Sequence, residues 1–177
     1  MTPRKRKTKV RKAARLALSI SVRVEDAAWR KDAAALRLVR RAARLALQTA
    51  KPVSGHLALT ILLTSDKAVR ALNAQFRSKN KPTNVLSFPS SEAGGYLGDV
   101  AIAHGTVARE AKAQKKRFSA HAAHLAAHGV LHLLGHDHMT AAEAAAMERL
   151  EVRILEKLGT DDPYTLRPYK KTRKALH

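Results

Sequence analysis

Cysteine is absent from the 177-residue chain, so neither a disulfide framework nor a thiolate metal site can form. A thiol-free composition accords with a cytoplasmic protein. Aromatic side chains are scarce, with three Phe, three Tyr and one Trp, which argues against a platform that stacks unpaired bases. Acid is scarce as well: 14 Asp and Glu face 34 Lys and Arg, for a net charge of +20. A long uncharged stretch is nearly absent too. One run, Phe118–His136, lacks Asp, Glu, Lys and Arg, but it carries five histidines, which rules it out as a membrane span. The basic start is not followed by the apolar run of a secretory signal.

What is present is unevenly placed. Residues 1–24 hold nine basic residues and no acid, and Arg167, Lys170, Lys171, Arg173 and Lys174 follow Asp162. Those fourteen charges leave only +6 for residues 25–162. The organisation read from this is a basic arm (1–18), a folded domain (19–162) and a basic tail (163–177). Basic arms attract polyanions by counterion release without reading sequence, although solubilising tails look the same. Apolar residues make up 45% of the chain, enough to fill the core of one domain.

Periodicity outlines the elements. Ile20–Val24 alternates as a strand. A helix over about 28–50 buries Leu36, Val39, Ala43 and Leu47, and gathers Arg37, Arg40, Arg41 and Arg44 on one arc. That arc is either a phosphate contact or a solvated face. His56–Thr64 is a central strand. Ser65 and Asp66 cap a short helix running to about Asn73. Val85–Phe88 and Gly98–Ala103 are strands, with a flexible loop at Ser90–Gly95. Three helices follow, from Thr106 to the basic run Lys115, Lys116, Arg117, from the cap Ser119 to Leu134, and from Thr140 to Leu158. Gly135 and Gly159 stop the last two. The class expected is α+β, one small four-stranded mixed sheet packed with about five helices.

The chemistry concentrates in His128–His138. His128 and His132, four residues apart, share a helical face. Gly135 lets the chain turn back, so His138 can approach the same ion. Three imidazoles leave one position open on a zinc ion, the pattern of a catalytic rather than a structural site. Water bound there would have its pKa lowered to about 7. A stripe of His at such spacing also arises incidentally. The H-x3-H-x2-G-x2-H spacing matches the zinc helix of metzincin proteases, except that Gly129 stands where those proteases place a catalytic Glu. A protease is therefore the alternative enzyme. Asp137 is either an acceptor that orients a ligand His or a turn residue. His136 is either a proton-exchanging group or a surface residue.

The segment His128–His138 resembles the H-G-x-L-H-L-x-G-Y-D-H signature of the YbeY family, bacterial endoribonucleases of ribosomal RNA maturation. Leu72–Pro89 is similar to that family's L-N-x-x-Y-R-x-K-D-x-P-T-D-V-L-S-F-P, Gly98–Ile102 to its G-D-I-x-I strand, and Met147–Gly159 to its closing helix. The resemblance spans Ile20 to Gly159. It implies a Zn2+-dependent endoribonuclease that cuts single-stranded RNA in ribosomal RNA processing, including the 3′ end of 16S rRNA, and in ribosome quality control. It implies His128, His132 and His138 as metal ligands, and Arg77, His128 and His132 as catalytic residues. Ribosomal RNA, ribosomal particles and a ribosomal protein that supplies specificity become the expected partners. Departures from the family pattern are Phe76, Asn80, Asn84 and His136. The loss of two carboxylates at Asn80 and Asn84 bears on how Arg77 is held. Lys79, Lys115, Lys116 and Arg117 join the α-helical arginines as nucleic-acid-binding candidates. A non-catalytic ribosome-assembly factor with structural zinc is the remaining alternative.

Overall fold

A computed structural model describes residues 17–50, 56–91, 94–160 and 163–164. Most of the expected arm and tail, and residues 51–55, lie outside the described residues. Four strands, β1 (Ala17–Val24), β2 (His56–Thr64), β3 (Val85–Pro89) and β4 (Tyr96–Ala103), form one sheet in the order β1-β2-β4-β3. β1, β2 and β4 are parallel, and β3 runs antiparallel to β4. Parallel neighbours need crossovers, which helix α1 (Ala33–Ala50) provides between β1 and β2. The short edge strand β3 ends at Pro89, a residue that cannot extend a ladder inward.

Leu57, Leu59, Ile61 and Leu63 alternate along β2 and are buried on one face of the sheet. Against that face pack α1 and α4 (Phe118–Leu133), and α5 (Ala141–Leu158) packs on those two helices. Each fully buried Leu or Ile contributes about 1.5–3 kcal/mol. Small residues on the facing surfaces, Ala42, Ala43 and Ala46 of α1 and Ala122, Ala123, Ala126 and Ala127 of α4, let the two helices approach closely. The opposite face carries a smaller cluster of Val69, Leu86, Ala101 and Ala103 under α2 (Asp66–Arg77). Helix α3 (His104–Ala113) follows β4 directly. The expected α+β class, four-stranded mixed sheet and five helices are thus present.

Several boundaries differ from expectation for local reasons. The first long helix is split. Asp26 caps a short 3-10 helix (Ala27–Lys31), and Asp32 then accepts Ala35 N–H at 2.8 Å and opens α1. Trp29 in that turn is fully buried and donates to Thr64 O at 3.1 Å, pinning the crossover to the end of β2. Helix α2 passes Asn73 and ends at Arg77, with Ser78 in the left-handed cap position. Ser119 does not cap α4. That helix opens one residue earlier, at Phe118, whose ring packs on Trp29 and His104.

The end of α4 follows expectation. Gly135 has φ 84° and closes the helix, with His136 N–H donating to Leu131 O at 3.0 Å. Thr140 and Glu143 form a reciprocal capping box that starts α5. The turn carrying His136, Asp137 and His138 is therefore fixed at both ends.

Candidate metal centre and its groove

His128 and His132 lie one turn apart on α4, with their Nε2 atoms 3.1 Å apart. The turn after Gly135 returns His138 to them, its ring centroid 5.7 Å from that of His128 and 5.0 Å from that of His132. One ring nitrogen from each of the three falls within 4.8 Å of the others. A tetrahedral ion with metal–nitrogen bonds of about 2.0–2.1 Å sets its ligand nitrogens about 3.4 Å apart. The observed 3.1–4.8 Å brackets that spacing, so small ring rotations complete the set. The residues fit a transition-metal ion that takes nitrogen donors.

The strongest support for this reading comes from Glu151 on α5. It is 1% exposed, and its Oε1 lies 2.7 Å from His128 Nδ1 while its Oε2 lies 2.7 Å from His124 Nε2. Tyr164 donates its hydroxyl proton to the same Oε2. Burial alone would raise the Glu151 pKa, but the hydrogen bonds from His124, His128 and Tyr164 outweigh it and hold the carboxyl well below the usual range. An ionised carboxylate only accepts, so Nδ1 of His128 carries the proton and Nε2 keeps its lone pair for a metal. Glu151 was not singled out from the sequence. It lies 23 residues from His128, and only the packing of α5 on α4 unites them.

His132 is prepared differently. Burial lowers its pKa, the neighbouring charges of His128 and His138 lower it further, and Asp137 and a hydrogen bond to the backbone of His136 oppose the shift. A neutral imidazole is the ligating form. Asp137 itself uses Oδ1 to accept its neighbour His138 N–H at 2.8 Å, a turn-forming contact. The carboxylate that meets a ligand ring nitrogen is Glu151.

The three histidines open onto a groove of about 680 Å3 that also contains Arg77, Lys79 and His136. Arg77 is exposed at the last position of α2 and donates through Nη2 to Ser87 O at 3.5 Å. Ser87 Oγ donates to Gly129 O at 3.1 Å, so one residue of β3 touches both the arginine and the metal-bearing helix. Asn73, on the buried side of α2, accepts Lys79 N–H at its backbone carbonyl and donates from Nδ2 to Lys81 O, which ties down the chain after Arg77. The two asparagines at the positions where the family pattern has acids bond to groups other than Arg77, although Asn84 lines the same groove. Asn80 accepts from Arg70 Nε at 2.8 Å, and Asn84 donates to Glu110 at 3.0 Å.

Gly129 separates this centre from a protease. A Cβ there would lie 2.5 Å from Val100 Cγ1, so a glutamate at this position would have to displace the Val100 side chain. Lys115 and Lys116 line a second cavity beside His128, whereas Arg117, the residue before α4, is exposed outside both cavities. Arg37, Arg40, Arg41 and Arg44 are exposed on α1 and line neither. Among the described residues no helix is long and apolar enough to cross a membrane.

The likenesses to known proteins converge. The family model described as Endoribonuclease YbeY matches residues 20–159. The Endoribonuclease YbeY of Rhodopseudomonas palustris strain HaA2 is 47% identical over 148 residues, covering 77% of this chain and 76% of that protein. That of Chelativorans sp. strain BNC1 is 44% identical over 155 residues, covering 84% and 94%. The solution structure of TM1509 from Thermotoga maritima shares the fold, with a TM-score of 0.53 at 21% identity, over 81% of this chain and 97% of that one. The chain is a member of the endoribonuclease YbeY family.

Proposed function

We propose that this chain is a zinc-dependent endoribonuclease that cuts single-stranded RNA during ribosomal RNA processing in the cytoplasm. Within that role, the 3′ end of 16S rRNA and ribosome quality control are the tasks the family likeness supports. The observation that carries the reading is the convergence of three ring nitrogens within 4.8 Å, in a groove shared with Arg77, in a chain of an endoribonuclease family. His128, His132 and His138 would hold the ion. When bound, zinc supplies Lewis acidity toward a phosphoryl oxygen and lowers the pKa of a coordinated water.

The protein's own groups do the rest. Arg77 offers a planar fork of donors that fits two phosphate oxygens at once, and its exposed position at the groove edge lets it take a phosphodiester from solvent. Glu151 keeps the His128 ring oriented, with its proton on the side away from the groove. Ribosomal particles are the partners that the basic arm and tail suit, because their surface is polyanionic.

The test is cleavage of single-stranded ribosomal RNA fragments with matched elemental analysis. Wild-type protein should cut with about one zinc per chain and stop with EDTA. His132→Ala should lose both metal and activity, since two ligands do not hold the ion tightly. Arg77→Lys should keep its zinc yet lose activity, because it retains the charge and not the fork. Activity that persists in His132→Ala after chelation would refute the assignment.

A further inference from the structure

Three cavities meet at His128. The groove with Arg77 and Lys79 is one. A second, of about 760 Å3, opens between the start of β3, the end of α3 and α4, and shares Asn84, Val85 and His128 with the groove. A third, of about 320 Å3, lies toward α5 beside His138, Glu148 and Glu151.

Charge sorts the three. The groove sets Arg77 and Lys79 against Asp137, and the second cavity sets Lys115 and Lys116 against Glu110, so each holds one more cation than carboxylate. The third is lined by two carboxylates and by no Lys or Arg. A strand that presents one phosphate to Arg77 and the histidines passes beside His128, where the groove meets both other cavities. Both adjoin the groove, but the third, with two carboxylates and no Lys or Arg, repels a phosphodiester, whereas the second offers a surplus of one cation.

We propose that the second cavity is a nucleotide subsite, seating the ribonucleotide next to the phosphate that is cut, with Lys115 holding that nucleotide's outer phosphate. This rests on the RNA-cleaving function proposed above. The size suits it, since pockets for compact organic ligands run from about 300 to 1,000 Å3. The walls are built rather than incidental. Lys115 takes a left-handed backbone, φ 53°, a conformation that non-glycine residues rarely adopt, and with it lines the rim. Lys116 donates to Gln114 Oε1 at 2.9 Å and to Pro163 O, fixing residues 163–164 as the far wall. Tyr164 in that wall donates to Glu151, so the subsite and the His128 ring share one carboxylate.

The experiment uses full-length, zinc-loaded protein and single-stranded RNAs of graded length, extended one nucleotide at a time from either side of the cut. Binding is followed by fluorescence anisotropy across a salt series, with cleavage of the same RNAs in parallel. Wild type should gain several-fold in affinity when one further phosphate is added on one side only. Lys115→Gly should lose that gain, and its slope of log K against log salt should be shallower by about 0.7, the value for one contact to a single strand. Glycine suits φ 53°, so its melting temperature should not fall. Lys112→Gln removes the same charge from an exposed position of α3 outside the cavity, and should keep the gain. Equal loss in both variants, or in neither, overturns the subsite while leaving the nuclease assignment intact. Wild-type protein that cuts none of the RNAs instead removes the proposed function, and the subsite with it.

Discussion

Glu151 is the side chain on which most of the candidate site turns. Its two oxygens serve His128, His124 and Tyr164. Glu151→Gln keeps the shape but replaces one acceptor by a donor, so at least one ring must reverse its tautomer or lose its bond. A buried unmet hydrogen bond costs about 1–3 kcal/mol, and disturbing an outer carboxylate weakens metal binding by about 10–100-fold. Competition titration with a zinc chelator and a melting curve should show both losses together. A variant with native zinc affinity would mean that the carboxylate only fills space.

His121 bears on pH at the same scale. It is 4% exposed and meets Glu110 Oε2 at 2.8 Å. Burial lowers its pKa below 6.5, and the hydrogen bond and charge of Glu110 only partly offset this. The unfolded chain therefore binds more protons than the native one between 6.5 and the lower native value. Stability is full above about pH 6.5 and falls as pH drops through that window. His132 shifts in the same direction and adds to the loss. Metal-free protein should melt at progressively lower temperature from pH 7 to 5. His121→Gln, which can still donate to Glu110 but does not titrate, should flatten the decline. An unchanged pH profile in that variant would assign the acid sensitivity to other groups.

At the scale of the element, α4 is set by what it cannot contain. Its Gly129 faces Val100 on β4, where a Cβ would sit at 2.5 Å. Gly129→Ala should cost about 1–3 kcal/mol by overpacking, despite alanine's better helix propensity. Val100→Ala should restore part of the loss when combined with it, and denaturant unfolding of the two single variants and the double reads this directly. Additive losses would show that the two side chains do not collide.

The elements also show what the sequence reveals and what it hides. The apolar, β-prone run His56–Thr64, the glycine stop at Gly135 and the Thr140 capping box are local signals, and each matches the structure. Where local signals misled, a tertiary contact decided. Asn73 looks like a helix end but lies buried within α2, spending its side chain on Lys81 O. Ser119 looks like a cap, yet the packing of Phe118 on Trp29 fixes where α4 begins. The three histidines were legible because eleven residues and one turn contain them. Glu151 and Tyr164 were not, because each enters the site from another part of the chain and neither has a spacing that marks it.

At the scale of the whole molecule, charge and chemistry are separated along the chain. Arg77 and the histidines occupy one groove, whereas residues 25–162 carry only +6 of the +20. Binding to ribosomal RNA and cutting it should therefore be separable. Residues 1–16 hold eight basic residues and end just before β1. Their removal leaves every strand of the sheet in place, so the domain should still fold and bind zinc. Affinity for ribosomal particles should fall, most steeply at low salt, because each lost phosphate contact reduces the salt slope by about 0.9 on a duplex or 0.7 on a single strand. Cleavage of a short RNA at saturation should change little, since the groove is untouched. A salt titration of binding for full-length and shortened protein, run beside a saturated cleavage assay, distinguishes the outcomes. Equal slopes would show that the arm does not contact RNA. Normal binding with lost cleavage would place the arm in the active site, against the separation that the charge distribution implies.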